Sequence, residues 1–376
     1  MRIETLLAQL GNGKDHTGAV SYPIYPSATF RHPALGESTG YDYSRSGNPT
    51  RQVLEEAIAQ LEKGKRGLAF SSGMAAIANC LSIFAPGDHI IFCQDLYGGT
   101  YRLMEQIYKP LGLTATYVDT RWSHKIADAV TEKTKAIFVE TPTNPTMHIT
   151  DLRALNKLCQ EHSLLLIVDN TFMSPYLQQP IELGAHIVVH SGTKYLGGHN
   201  DVVAGLVVAA TEELGEKLYF MQNAIGAVLG PFDAWLLLRG MKSLALRMEQ
   251  SQTSAQKIAQ WLQEHKAVEQ VYYLGLPGHP GRDVHFEQAR GAGAMVSFAV
   301  REEKKVEEVL SRVQLISFAE SLGGVESLIT FPARQTHADI PEELRQQTGV
   351  TSTLLRLSVG IENVDDLIAD LEEALG

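Results

Sequence analysis

Leu164-Leu-Leu-Ile-Val-Asp169, five apolar residues closed by a carboxylate, is the stretch on which the fold turns. It shows no alternation of apolar and polar positions, which suits a strand covered on both faces rather than one open to solvent. Its last residue sets a second condition, because a carboxylate at the end of a buried strand requires a partner. The next apolar run, His186-Ile-Val-Val-His190, leads into Ser191-Gly-Thr-Lys194, so that Lys194 lies 25 residues beyond Asp169. That separation is about one crossover unit, so the two side chains are expected at neighbouring strand ends.

Outward from this pair the same texture recurs. Gly67-Leu-Ala-Phe70, His89-Ile-Ile-Phe-Cys93 and Ala136-Ile-Phe-Val-Glu140 read as further buried strands. Leu54, Ala57, Ile58 and Leu61 fall at helical spacing, and Gly64 closes that helix. Ser71-Ser-Gly-Met74 opens an alanine-rich helix reaching about Phe84, and Gly98-Gly-Thr100 opens another. Strands interleaved with helices predict an α/β fold with a mostly parallel sheet. A long amphipathic helix is expected from near Pro231 past Gln250. Beyond it, Val271-Tyr-Tyr273, Ala294-Met-Val-Ser-Phe298, Leu315-Ile-Ser-Phe318 and Leu354-Leu-Arg-Leu-Ser358 suggest a second, mixed sheet. From Tyr22 to Thr50, proline, glycine, aromatics and hydroxyls dominate without periodicity. A segment of that kind must lie on its own body or on a partner subunit. The expected organisation is an N-terminal arm (1–50), a large α/β domain (51–240) and a smaller C-terminal α+β domain (241–376).

Bulk properties exclude several functions. A chain of 376 residues with 44% apolar and 20% charged residues is an ordinary globular protein, long enough for two domains. Its net charge of −11 argues against a nucleic-acid surface, which needs clustered Lys and Arg. No apolar run is long enough to span a membrane, and Met1-Arg-Ile-Glu-Thr5 lacks the features of a signal peptide. Cys80, Cys93 and Cys159 are odd in number and far apart, as expected of buried thiols in a reducing cytoplasm.

Ligands of open parallel sheets gather at the carboxyl ends of the strands. Four such ends carry polar residues: Ser71-Ser72-Gly73, Asn144, Asp169 and Lys194. A buried Asp and Lys in one crevice can be a plain ion pair. They can also be the arrangement of pyridoxal 5'-phosphate (PLP) enzymes, in which lysine binds the cofactor's aldehyde and a carboxylate faces the pyridine nitrogen. That cofactor needs an anion site, and Ser72-Gly73-Met74 starts a helix, where backbone N–H groups and the helix dipole favour phosphate. Ser191 and Thr193 add hydroxyls, and Tyr97 offers an aromatic face. Neither a GxxxxGK[ST] loop nor an early GxGxxG is present. His186, His190 and His199 lack zinc-ligand spacing, so no metal is expected and His190 reads as a core histidine.

These residues sit in longer segments that resemble the PLP-dependent transsulfuration enzymes of cysteine and methionine metabolism. The segments are Tyr41-Asp-Tyr-Ser-Arg-Ser-Gly-Asn-Pro-Thr50, Ser71-Ser-Gly-Met-Ala-Ala76, Asp95-Leu-Tyr-Gly-Gly-Thr-Tyr-Arg102, Glu140-Thr-Pro-Thr-Asn-Pro145, Val168-Asp-Asn-Thr-Phe172, His190-Ser-Gly-Thr-Lys-Tyr-Leu-Gly-Gly-His199, Phe318-Ala-Glu-Ser-Leu-Gly-Gly-Val-Glu-Ser327 and Leu355-Arg-Leu-Ser-Val-Gly-Ile-Glu362. The resemblance covers nearly the whole chain and implies the aspartate aminotransferase-like fold, fold type I. It gives Lys194 the covalent link to PLP, Asp169 the pyridine nitrogen and Tyr97 the ring stack. Ser72, Gly73, Met74, Ser191 and Thr193 hold the phosphate, and Thr171 joins the cofactor site. It implies that Tyr43 and Arg45 reach a neighbouring subunit's phosphate, within a homotetramer built as a dimer of dimers. Asn144 contacts the ring hydroxyl and the substrate carboxylate, Arg356 clamps that carboxylate, and Ser321 lies at the substrate. Arg102 is a candidate for the distal end of the substrate, with a helix-surface arginine as the alternative.

Ser191-Gly192 departs from the Ser-Ala or Ser-Cys usual in relatives. The wording around Glu320 and Ser321, with Gln222-Asn-Ala-Ile-Gly-Ala-Val-Leu229 and Gly197-Gly-His-Asn-Asp201, resembles bacterial cystathionine γ-synthases that also use sulfide. The expected reaction is γ-replacement on an O-acylhomoserine by cysteine, with Glu320 at the cysteine ammonium or simply a solvated rim charge. Cystathionine γ- or β-lyase is the alternative reading, and a catalytically silent binding protein on the same fold a remote one.

Overall fold

All five of the apolar runs in the first half of the chain become strands. The structure is a computed structural model, which describes residues 1–338 and 340–376. The first sheet contains β1 (Arg66–Phe70), β2 (His89–Cys93), β3 (Thr114–Val118), β4 (Thr134–Glu140), β5 (Leu165–Asp169), β6 (Ile187–Ser191) and β7 (Gly205–Ala209), in the order β1-β7-β6-β5-β4-β2-β3. Pairing is parallel from β3 through β2, β4 and β5 to β6, and β7 runs antiparallel between β6 and β1. β2, β4 and β7 are buried at nearly every position, as unalternating runs require. The parallel register sets Glu140 beside Asp169, and Asp169 beside Val189. The carboxyl ends of β4, β5 and β6 therefore share one edge of the sheet.

A second sheet contains β8 (Val268–Tyr272), β9 (Met295–Val300), β10 (Ser317–Phe318), β11 (Leu328–Thr330) and β12 (Leu354–Ser358), in the order β10-β11-β12-β9-β8. Only β10 and β11 pair in parallel. β12 holds Arg356, which is almost fully buried.

Three local expectations need correction. The helix expected from Pro231 past Gln250 is two helices, Pro231–Met241 and Leu244–Glu264. The break follows from the carbonyl of Gly240, which accepts from Ser243 Oγ and Arg247 Nη2 instead of continuing the helical ladder. The run at Leu315 yields a strand of only two residues, because the backbone N–H groups of Gln314, Leu315 and Ile316 all donate to the Asp370 carboxylate. β3, β7 and β11 lie outside the runs picked out by composition.

The first 48 residues carry one short helix, Ile3–Ala8, and are otherwise irregular. Every residue from 31 to 40 is exposed. The return of the chain to the body is fixed at Asn48, whose side chain caps the helix Pro49–Glu62 and donates to the carbonyl of Tyr25.

Candidate active site

The shared strand edge opens into a cavity of about 370 Å³ between the two sheets. Strand ends and the loops that follow them supply Glu140, Asn144, Asp169, Thr171, Ser191, Thr193 and Lys194. The second sheet adds Arg356, and the loop after β10 adds Glu320 and Ser321.

Lys194 follows β6 and donates from Nζ to Ser321 Oγ at 2.8 Å. Ser321 is held at φ +131°, a conformation that residues with a side chain rarely adopt. Burial lowers the lysine pKa to about 8, helped by the Arg356 charge and opposed by Glu320. Asp169 closes β5 and is buried. Its Oδ1 accepts from the Thr171 N–H at 3.0 Å, and among the described residues no Lys or Arg pairs with it. Burial raises its pKa, against the hydrogen bonds from Thr171. His190 nearby also opposes the rise, but the carboxylate has no Lys or Arg partner among the described residues.

Ser72 caps the helix Gly73–Leu81, its Oγ accepting from the Ala75 N–H at 3.0 Å. Gly73 leaves the helix start open, since a Cβ there would lie 3.0 Å from Ser191 Cβ. Thr171 Oγ1 accepts from the Ser191 N–H at 2.9 Å, joining the loops after β5 and β6. The Thr193 hydroxyl donates to the Ala204 carbonyl and accepts from the Ala204 N–H, so it faces the cavity already engaged. Gly192 is not slack: a Cβ there would meet Leu237 at 3.0 Å and Ala204 at 3.2 Å. Tyr97 stands on the rim before the helix Gly98–Leu103, its ring over Gly99, where a Cβ would lie 2.5 Å from the ring.

Arg356 donates from Nη1 to Asn144 Oδ1 at 2.8 Å and from Nη2 to the Ser321 carbonyl at 3.1 Å. Its Nε is buried with no hydrogen-bond partner among the described residues, and burial lowers its pKa to about 10. A buried guanidinium with a free N–H is suited to a carboxylate.

Glu140 ends β4 as Asp169 ends β5, with nothing in its sequence context to mark a role. It lines the cavity and accepts from the Tyr97 N–H at 3.1 Å. Burial, then the nearby Asp169, raise its pKa well above the usual carboxylate range. Three sequence candidates lie outside the cavity. Tyr43 and Arg45 stand against each other on the arm, with the guanidinium 5.5 Å from the ring centroid and donating to Asn223. Arg102 lies on the helix Gly98–Leu103, away from the cavity lining.

The residues present fit PLP. The capped helix start beside Ser191 suits its phosphate, the buried Asp169 suits a protonated pyridine nitrogen, and Lys194 is a depressed amine within the same cavity. His190 lies in β6, its side chain bonded to Glu62 Oε1 at 2.7 Å. All three cysteines are buried and unpaired. Among the described residues no helix is long and apolar enough to cross a membrane, and no cluster of side chains is arranged for a metal.

Comparison with known proteins agrees with this geometry. Residues 4–376 match the family described as Cys/Met metabolism PLP-dependent enzyme. The chain is 55% identical to the cystathionine gamma-synthase/O-acetylhomoserine (thiol)-lyase of Bacillus subtilis, covering 99% of this chain and 96% of that one. It is 51% identical to the cystathionine gamma-lyase of the same organism, covering 100% and 99%. The crystal structure of cystathionine gamma-lyase from Lactobacillus plantarum complexed with L-serine superposes with a TM-score of 0.97 at 50% identity, over 100% of this chain and 98% of that one. Sheet order, strand-end chemistry and full-length similarity converge, and the chain belongs to the PLP-dependent enzymes of Cys and Met metabolism, with the fold type I architecture and pyridoxal 5'-phosphate as its cofactor.

Proposed function

We propose that this enzyme catalyses γ-replacement, joining an O-acylhomoserine to cysteine to form cystathionine. The observation that carries this reading is a second cavity of about 570 Å³, which shares Thr193, Val203, Glu320 and Ser321 with the first. Asp201 and Glu326 line it together with Glu320, so it is acidic. A second amino acid, with its ammonium toward these carboxylates, can enter there while the first is held by Arg356.

PLP, when bound, supplies the electron sink for carbanion chemistry. Arg356 and Asn144 hold the substrate carboxylate. Lys194 removes the proton from Cα and, reaching along the same face, the proton from Cβ. The first proton is released before the second is taken. The Cγ–O bond then breaks and the acyl group leaves as a carboxylate. The thiol gives its proton to solvent as its sulfur forms the Cγ–S bond, and Lys194 returns protons to Cβ and Cα. Glu320 orients the ammonium of cysteine. Glu320→Ala should raise the KM for cysteine about tenfold, the loss of one charge-assisted contact. Elimination from acylhomoserine alone, followed as 2-oxobutyrate and ammonia, should continue at its wild-type rate. Equal losses in both reactions would remove Glu320 from this role.

Cystathionine cleavage by γ- or β-elimination is the second reading. It is favoured by the 51% identical relative named as a cystathionine gamma-lyase.

The proposal extends to assembly. The enzyme is a homotetramer of two dimers, in which Tyr43 and Arg45 of one subunit complete the phosphate site of another. Support comes from the complete exposure of residues 31–40 and from the absence of both side chains from the lining of their own cavity. The unpaired thiols suit a cytoplasmic location.

A further inference from the structure

Glu62 is the last residue of the helix Pro49–Glu62 and is entirely buried beneath the first sheet. Its Oε1 receives two hydrogen bonds, from Asn170 Nδ2 at 2.8 Å and from His190 Nε2 at 2.7 Å. Among the described residues its Oε2 has no hydrogen-bond partner, and neither has Nδ1 of His190. Val189 and Ser191 line the cavity, so the alternation of β6 turns His190 to the opposite face. Asn170 directly follows Asp169, and His190 precedes Lys194 by four residues. Asn170 is further fixed, its N–H donating to the Val189 carbonyl at 2.9 Å and its Oδ1 accepting from Gln178 Nε2 at 3.1 Å. One carboxylate oxygen thus clips the end of β5 to the end of β6. Inside a dry core such bonds are costly to leave unmade, so the clip resists sliding of one strand end against the other.

We infer that Glu62 is a positioning residue, which sets the placement of Lys194 relative to Asp169. The inference rests on the reading of those two as the reacting pair. Both bonds converge on one oxygen, so a glutamine carbonyl can replace the carboxylate. Aspartate, shorter by one carbon and about 1.5 Å, cannot reach both donors. The substrate carboxylate is held by Arg356 on the other sheet, so KM is independent of the clip.

The test uses Glu62→Asp, Glu62→Gln and Lys194→Ala as cofactor-loaded enzymes for kcat and KM. Capture of added PLP by the stripped proteins is followed by visible absorbance. Glu62→Asp should lower kcat about 10- to 100-fold with KM within about twofold, and slow the covalent capture to a similar degree. Glu62→Gln should stay within about threefold in both measurements. The proposal is overturned if Glu62→Asp behaves as wild type, if Glu62→Gln falls as far as Glu62→Asp, or if losses merely follow the folded fraction. Should Glu62→Asp not fold, His190→Leu cuts the same clip from its other side, and an unchanged kcat there overturns the proposal. Covalent capture by Lys194→Ala would instead overturn the role of Lys194, a separate failure from that of the clip.

Discussion

Lys194 gains its reactivity from where it is buried. Its pKa, lowered to about 8 chiefly by burial, leaves about a quarter of the amine neutral at pH 7.5, against roughly one in a thousand for an ordinary lysine. The neutral amine is the nucleophile, and burial disfavours the ammonium, so the shift works in the direction the chemistry needs. In stripped enzyme, the rate of covalent PLP capture should therefore rise with pH and level off above about 8. A rise continuing beyond pH 10 would mean that the amine is as basic as one on the surface. Lys194 and Asp169 were legible because each follows an apolar run and their separation equals one crossover. Glu140 and Glu62 were not. Glu140 looks like any strand-end glutamate until its contact with Tyr97 is seen, and the partners of Glu62 are 108 and 128 residues away in sequence.

Among the elements, the helix Gly73–Leu81 depends on a close approach of β7. A Cβ on Gly205 would lie 2.0 Å from the Ser72 carbonyl oxygen and 2.9 Å from the Gly73 nitrogen. Gly205→Ala must push the helix start away from Ser191. Equilibrium binding to stripped protein should weaken about tenfold for PLP, and unchanged binding would show that this helix start is not the phosphate anchor. The strands of the first sheet were readable because full burial makes their runs uniformly apolar. β7 was not singled out, although Gly205-Leu-Val-Val-Ala209 has that composition, because it continues the glycine-rich loop after Lys194. The break at Gly240 was hidden too, since Ser243 and Arg247 are unremarkable in a helical pattern until both are seen to donate to one carbonyl.

The whole molecule explains the arm. Tyr43 and Arg45 do not line the cavity of their own chain, and in the proposed assembly their target is the phosphate site of another subunit. Inactive Arg45→Ala and Lys194→Ala proteins, mixed under conditions of subunit exchange, should recover activity, because one class of hybrid site carries both native residues. No recovery despite proven exchange would count against a shared site. The family was legible from motif order along nearly the whole chain. The reaction type was not, because synthase and lyase relatives are about equally similar and both reactions pass through the same strand-end residues. The most direct measurement is the ratio of initial rates in two assays of the purified enzyme: cystathionine formed from an O-acylhomoserine plus cysteine, and cystathionine cleaved when it is supplied alone. Synthesis well above cleavage is the expected result. Cleavage far faster than synthesis would contradict the γ-replacement assignment and establish the lyase in its place.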